Sequence, residues 1–166
     1  MSTPQTLILM GVCGCGKSLI GSMLAERLGG VFEDADDFHP AENKDKMRAG
    51  TPLTDEDRWP WFGILRQRIE EHRGRVPCYV LACSALKQSY RDFLRNGDDR
   101  AALAFVYLKG SRELIGARMA ERKGHYMPTT LLDSQFAILE EPVDAVVVDV
   151  DQTPEQIVTE VLMRLG

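Results

Sequence analysis

A parallel β-sheet covered by helices on both faces is the α/β fold this sequence predicts. Three observations predict it. Short, continuous apolar runs recur along the chain, each followed by a longer stretch with helical spacing. These runs do not alternate with polar residues, as strands with one wet face would. Between the first apolar run and the first helical stretch stands G-x-x-x-x-G-K-S, residues 11–18. At 166 residues, 44% of them hydrophobic, the chain suits one domain, 1–166, with a substantial core.

Taken in order, Thr6–Met10 (TLILM) reads as a buried strand, and 19–28 follows with helical spacing. A short strand over 31–35 comes next. Residues 40–49 and 55–73 read as helices. The second opens on Asp55, Glu56 and Asp57, where negative charge suits the helix dipole. Residues 78–83 (CYVLAC) form a third strand and 85–95 a helix. A fourth strand spans 104–108, and charged or mixed helices span 112–122 and 131–140. The fifth strand is 145–150. Thr153 then caps a last helix with Pro154 at its first position. The stretch 124–130 (GHYMPTT) breaks the periodicity and reads as a loop.

The glycine-rich motif raises a choice, because Cys13 and Cys15 lie inside it. Its strand–motif–helix context favours a phosphate cradle. Gly11, Gly14 and Gly16 let the backbone curl so that the N–H groups from Val12 to Ser18 point inward, at a helix N-terminus. Lys17 is then placed to reach β- and γ-phosphates, and the Ser18 hydroxyl to ligate Mg²⁺. A metal held by Cys13 and Cys15 would compete for the phosphate space. No C-x-x-C occurs, and the three histidines show no metal-ligand spacing. The four cysteines read as reduced thiols, consistent with a cytoplasmic protein. The field of Lys17 and the helix end would lower a nearby thiol pKa, so oxidation sensitivity is a secondary expectation.

Composition removes other classes. The net charge of -5 provides no basic field for nucleic acid. The longest apolar runs are too short to span a bilayer, and the N-terminus lacks a signal-peptide pattern. A guanine-reading N-K-x-D is absent. The nearest match, Asn43-Lys44-Asp45-Lys46, has Lys in the last place and lies in a helical stretch. Residues 145–149 (AVVVD) look superficially like a metal-binding strand, but they come last and lead more naturally to a base-binding loop. Pro154 is counted with the nucleotide-binding residues on that ground.

The second strand runs into Asp34-Ala-Asp36-Asp-Phe-His39-Pro. Carboxylates at the C-terminal end of a parallel strand lie over the ligand crevice. Asp34 would organise the metal's water and Asp36 would accept a hydroxyl proton. The same residues also fit a solvated turn before Pro40. Arg118 and Arg122 share a helix face and would neutralise charge during transfer; their spacing equally fits a solvent-facing helix.

At this point the chain resembles the phosphate-loop gluconokinases, relatives of shikimate and nucleoside monophosphate kinases. The resemblance covers nearly the whole chain. It includes the phosphate loop, D-x-D-x-x-H-P at 34–40, Asn43 with Lys46 and Met47, and Asp55, Asp57, Arg58, Pro60 and Trp61. It continues through C-S-A-L-K at 83–87, Tyr90 with Arg91, R-K-G-H at 122–125, and Ser134-Gln135-Phe136. One departure is Cys13 and Cys15, where the family usually carries serines. The resemblance implies a five-stranded sheet of order 2-3-1-4-5, a lid near 122–136, a homodimer, and transfer of the ATP γ-phosphate to the 6-hydroxyl of D-gluconate. A polyol carboxylate needs cationic partners, for which Arg58, His39, Arg91, Lys87 and Lys123 are candidates. Ser84 and Gln135 would hydrogen-bond its hydroxyls, and Asp36 and His125 complete the acceptor set. A shikimate- or nucleotide-type kinase on the same fold is the alternative. A non-enzymatic nucleotide switch and a thiol protein are more distant ones.

Overall fold

The computed structural model describes residues 3–121 and 129–165. The elements follow the expected alternation. Strand β1 is Thr6–Met10, helix α1 Lys17–Leu28, and β2 Val31–Asp34; a 3-10 turn over Ala35–Phe38 follows. Then come α2 (Ala41–Arg48), α3 (Asp55–His72), β3 (Tyr79–Ala82), α4 (Gln88–Arg95) and β4 (Leu103–Lys109). The chain continues with α5 (Arg112–Glu121), α6 (Thr129–Ile138), β5 (Val146–Asp149) and α7 (Pro154–Leu165).

All four strand pairs are parallel, in the order β2-β3-β1-β4-β5, as expected. The order changes direction around β1. Its C-terminal end therefore opens into the crevice where such sheets bind ligands. Strand pleating sends alternate residues of β1 to opposite faces. Leu7 and Leu9 pack with Leu24 of α1, Ile115 of α5 and Val158 of α7. Ile8 and Met10 pack with Phe62 and Leu65 of α3 and Leu94 of α4. Both faces of β1 are fully buried, which explains its uninterrupted apolar sequence.

One boundary differs in a way that matters. The helix expected from residue 85 begins at Gln88. Ala85 lies in the left-handed region at φ 45°, and Lys87 is extended. The C-S-A-L-K segment is thus a bent connection rather than a helical turn. Arg91 holds it by donating to the Ala85 carbonyl at 2.7 Å.

Helix α3 is set by its N-terminus. The Thr54 hydroxyl accepts from the Asp57 amide, and the Asp57 carboxylate accepts from the Thr54 amide at 2.9 Å, forming a capping box. Lys46 donates to the same carboxylate at 2.8 Å, tying α2 to α3. Lys46, with the Thr54 amide after it, holds the Asp57 carboxyl down to about 2.

Candidate active site

The phosphate loop leaves β1 at Gly11 and enters α1 at Lys17. Gly11, Gly14 and Gly16 all have positive φ, as the expected curl requires. The Gly11 amide donates to the Ser84 carbonyl at 3.2 Å, which ties the loop to the end of β3. Lys17 Nζ donates to the carbonyls of Gly11 and Val12, both at 3.0 Å. From α6, Gln135 reaches across and accepts the Cys13 amide proton on Oε1 at 2.6 Å. Gln135, expected beside the acceptor, thus sits on the phosphate loop itself.

The acidic end of β2 faces the start of α1. Ser18 Oγ donates to Asp34 Oδ2 at 2.6 Å, and the other Asp34 oxygen accepts the Asp36 amide proton at 2.9 Å. Among the described residues no group of three or more His, Cys, Asp or Glu could hold a metal ion. A hydroxyl and a carboxylate side by side nevertheless fit Mg²⁺, which takes one or two protein oxygens and completes its shell with water and phosphate. Ser18 and Asp34 are the residues that could hold it.

The Asp36 side chain is 83% exposed and lies 3.7 Å from His39 Nε2. The imidazole, acting ahead of the more distant Lys17, holds the Asp36 carboxyl below its usual range. His39 itself is buried and stacked on Trp61, with ring centroids 3.9 Å apart. Trp61 Nε1 donates to the Ala35 carbonyl at 2.8 Å, so the stack is anchored to the turn that carries Asp36.

Beyond the turn, Arg58 and Lys87 converge on Asp55. Arg58 Nη1 is 3.7 Å and Lys87 Nζ 3.4 Å from Asp55 Oδ1. Tyr90 donates to the same oxygen at 2.5 Å, and Arg58 donates to the Tyr90 hydroxyl at 3.2 Å. Asp55, read from sequence only as helix-dipole charge, therefore organises two cations. The Tyr90 hydrogen bond, with Lys87 and Arg58, keeps its carboxyl below the usual range. The cluster carries two positive charges against one negative, which suits a monoanion.

Arg91, expected among the acceptor's cationic partners, is placed otherwise. It is 3% exposed and directs its guanidinium to the carbonyls of Ala85 and Glu140 and to Gln88. Its work is to brace the bent connection, and burial lowers its pKa. Arg122, Lys123 and His125 lie outside the described residues.

On the far side of the loop a cleft of about 280 Å³ is lined by Gly14, Cys15, Gly16, Arg118, Gln152 and Pro154, among others. Arg118 is half-buried there, so α5 does not turn this arginine to open solvent. Pro154, read from sequence as a nucleotide-binding residue, is part of this cleft's lining. Gln152 carried no signal in the sequence; only the approach of the β5–α7 connection to the loop brings it in. A more open concavity along α7 shares Gln152 with this cleft but has no phosphate-loop residue in its lining.

Cys13 and Cys15 are free thiols. Burial pushes the Cys13 thiol up, and this outweighs the opposing pull of Lys17. The expectation of a lowered thiol pKa is thus reversed at Cys13, because the side chain is drawn out of water beside α6.

Fold and site together define a phosphate-loop kinase of small molecules. The shikimate kinase family profile matches residues 13–166. A Xenopus tropicalis protein named as a probable gluconokinase is 45% identical over 171 residues, covering 93% of this chain and 90% of its own. The crystal structure of a gluconokinase from Sinorhizobium meliloti 1021 superposes with a TM-score of 0.89 at 44% identity, covering 99% of this chain and 93% of that one. The chain belongs to the gluconokinase family, within the shikimate kinase group. A shikimate kinase from Aquifex aeolicus shares the fold alone, at 18% identity and a TM-score of 0.62 over 96% of this chain and 95% of that one.

Proposed function

We propose that this kinase transfers the γ-phosphoryl group of ATP to the 6-hydroxyl of D-gluconate, with the acidic end of β2 as the reacting edge. The observation that carries the reading is the Ser18–Asp34 contact at 2.6 Å, with Asp36 two residues further along the same turn. The amides from Val12 to Ser18 cradle the phosphates, and Lys17 exchanges its carbonyl partners for phosphate oxygens. Ser18 and Asp34 would hold Mg²⁺, which would supply positive charge to offset that of the phosphates. Asp36 orients the acceptor hydroxyl and takes its proton as the new O–P bond forms and the bond from phosphorus to the ADP oxygen breaks. A loose transition state, in which the hydroxyl proton leaves late, asks this carboxylate for positioning more than for basicity. Arg118, with Arg122, balances charge on the transferred group.

At the acceptor end, Arg58 and Lys87 receive the gluconate carboxylate. Ser84, Lys123, His125 and Gln135 complete the pocket, Gln135 by releasing the Cys13 amide. Among the described residues no helix is long and apolar enough to cross a membrane. The four free cysteines support a cytoplasmic location, and the family resemblance supports a homodimer.

Asp36→Asn keeps the size and removes the charge. It is expected to fold and bind ATP normally, with kcat on gluconate reduced at least about 10²-fold. Asp34→Asn is expected to weaken nucleotide binding only when Mg²⁺ is present. Steady-state kinetics with gluconate, shikimate and AMP as acceptors, paired with ATP titrations with and without Mg²⁺, test the assignment. Normal turnover by Asp36→Asn with a dead Asp34→Asn would exchange the two roles. Faster ADP release with shikimate or AMP would reject the acceptor.

A further inference from the structure

His39 was expected to touch the acceptor, yet its surroundings describe another task. The side chain is only 4% exposed, and its ring is clamped against Trp61. Its two nitrogens face different partners. Asn43 Nδ2 lies 3.3 Å from His39 Nδ1 and also donates to the Asp57 carbonyl at 3.0 Å. A backbone carbonyl only accepts, so the end of the Asn43 amide facing it is the NH₂ group. The second hydrogen of that group then points at Nδ1, which must accept. The neutral imidazole consequently carries its proton on Nε2, the nitrogen that faces Asp36 Oδ1 at 3.7 Å.

The chain of cause runs from the N-terminus of α3 to the reacting edge. The capping box fixes Asp57. The Asp57 carbonyl orients Asn43, which is 3% exposed. Asn43 selects the His39 tautomer, and His39 presents one N–H to an otherwise exposed carboxylate. At 3.7 Å the contact is longer than a hydrogen bond, and a small turn of the Asp36 side chain closes it. Catalytic contacts of this kind tighten when the reactants are in place.

We propose that His39 is a positioning residue for Asp36, held as the Nε2–H tautomer by Asn43, so that one carboxylate oxygen is occupied and the other is aimed at the acceptor hydroxyl. The inference rests on the assignment of Asp36 as proton acceptor. A carboxylate with free rotation spends most of its time misdirected. Misplacement by about 1 Å can cost about 10²-fold in rate. The ring also leaves the direct acceptor contacts to Arg58, Lys87 and Ser84.

The test combines kinetics with ¹⁵N NMR of histidine-labelled protein. His39→Phe keeps a ring against Trp61 and removes the N–H. It is expected to lower kcat about 10- to 10²-fold with little change in KM for gluconate or ATP. His39→Gln, whose amide can donate from a similar position, is expected to recover most of the loss. In the Asp36→Asn background, His39→Phe is expected to cost nothing further, because the group it positions is gone. The NMR spectrum is expected to show His39 protonated on Nε2 in the parent and a mixture of tautomers in Asn43→Leu.

A raised gluconate KM at unchanged kcat would make His39 an acceptor contact and overturn the proposal. So would multiplicative losses in the double variant, or an Nδ1–H signal in the parent. Normal turnover by Asp36→Asn would overturn it from beneath, by removing the base assignment; the NMR result separates that failure from a wrong tautomer.

Discussion

At the scale of single residues, the phosphate loop shows how identity and environment divide the work. Its chemistry is carried by backbone amides and Lys17, so the side chains at 13 and 15 are free to vary in kind. Cys13→Ser with Cys15→Ser is therefore expected to keep gluconate kinase turnover within several-fold. A folded but inactive double variant would assign the thiols a role. Because burial raises the Cys13 pKa, its thiolate is scarcer at neutral pH than that of an exposed cysteine. Iodoacetamide labelling followed by peptide mass analysis is expected to find Cys13 slower than a free thiol, accelerating as pH rises above the usual thiol range. Lys17 and Ser18 were legible from sequence because the motif names them. The half-burial of Cys13 was not, because it depends on α6 delivering Gln135 from 122 residues away.

At the scale of elements, α3 links stability to the site. Its capping carboxylate, Asp57, has a folded pKa of about 2, below the ordinary value near 3.9. The group is depressed, so the sign is that of a salt-bridged acid. Its contribution is fully present above the unfolded pKa and is lost as pH falls from about 4 through about 2. Asp57→Asn is expected to melt lower than the parent at neutral pH, with the two curves converging across that window. Thermal unfolding followed by circular dichroism from pH 7 to pH 2 checks this; parallel curves would detach Asp57 from acid stability. Three acids in the first turn were readable as helix-dipole charge. The cap follows from a local spacing, Thr54 three residues before Asp57. That Asp55 turns to Lys87 and Tyr90 was not readable, because it is decided by contacts with α4 and the segment before it.

At the scale of the whole molecule, the same substitution has opposite signs in two helices. Gly63 lies exposed within α3, and a Cβ there meets nothing within 4 Å. Gly63→Ala is expected to stabilise by about 0.5–1 kcal/mol, the helix preference of alanine. Gly21 lies within α1, but a Cβ there would come 2.5 Å from the Phe32 ring of β2. Overpacking costs about 1–3 kcal/mol, which outweighs a propensity gain of about 1 kcal/mol. Gly21→Ala is expected to lower the urea midpoint and Gly63→Ala to raise it. Matching shifts in the two variants would mean that α1 and β2 can separate without cost.

The sequence by itself determined the alternation of strands and helices, the phosphate loop and the acidic strand end. Each rests on residues near one another in the chain: apolar runs long enough to be buried on both faces, and glycines and a lysine at fixed offsets. Resemblance extended that reading to the strand order and the kinase class. Only the tertiary structure decided the rest. It turned Arg91 inward to brace Ala85, drew Gln135 onto the Cys13 amide, and brought Gln152 to the cleft. It also placed the Asn43 amide between a carbonyl of α3 and the His39 ring. These are contacts between segments far apart in the chain. Their direction depends on packing distance and on which polar groups have lost water, and no local pattern of residue types carries that information.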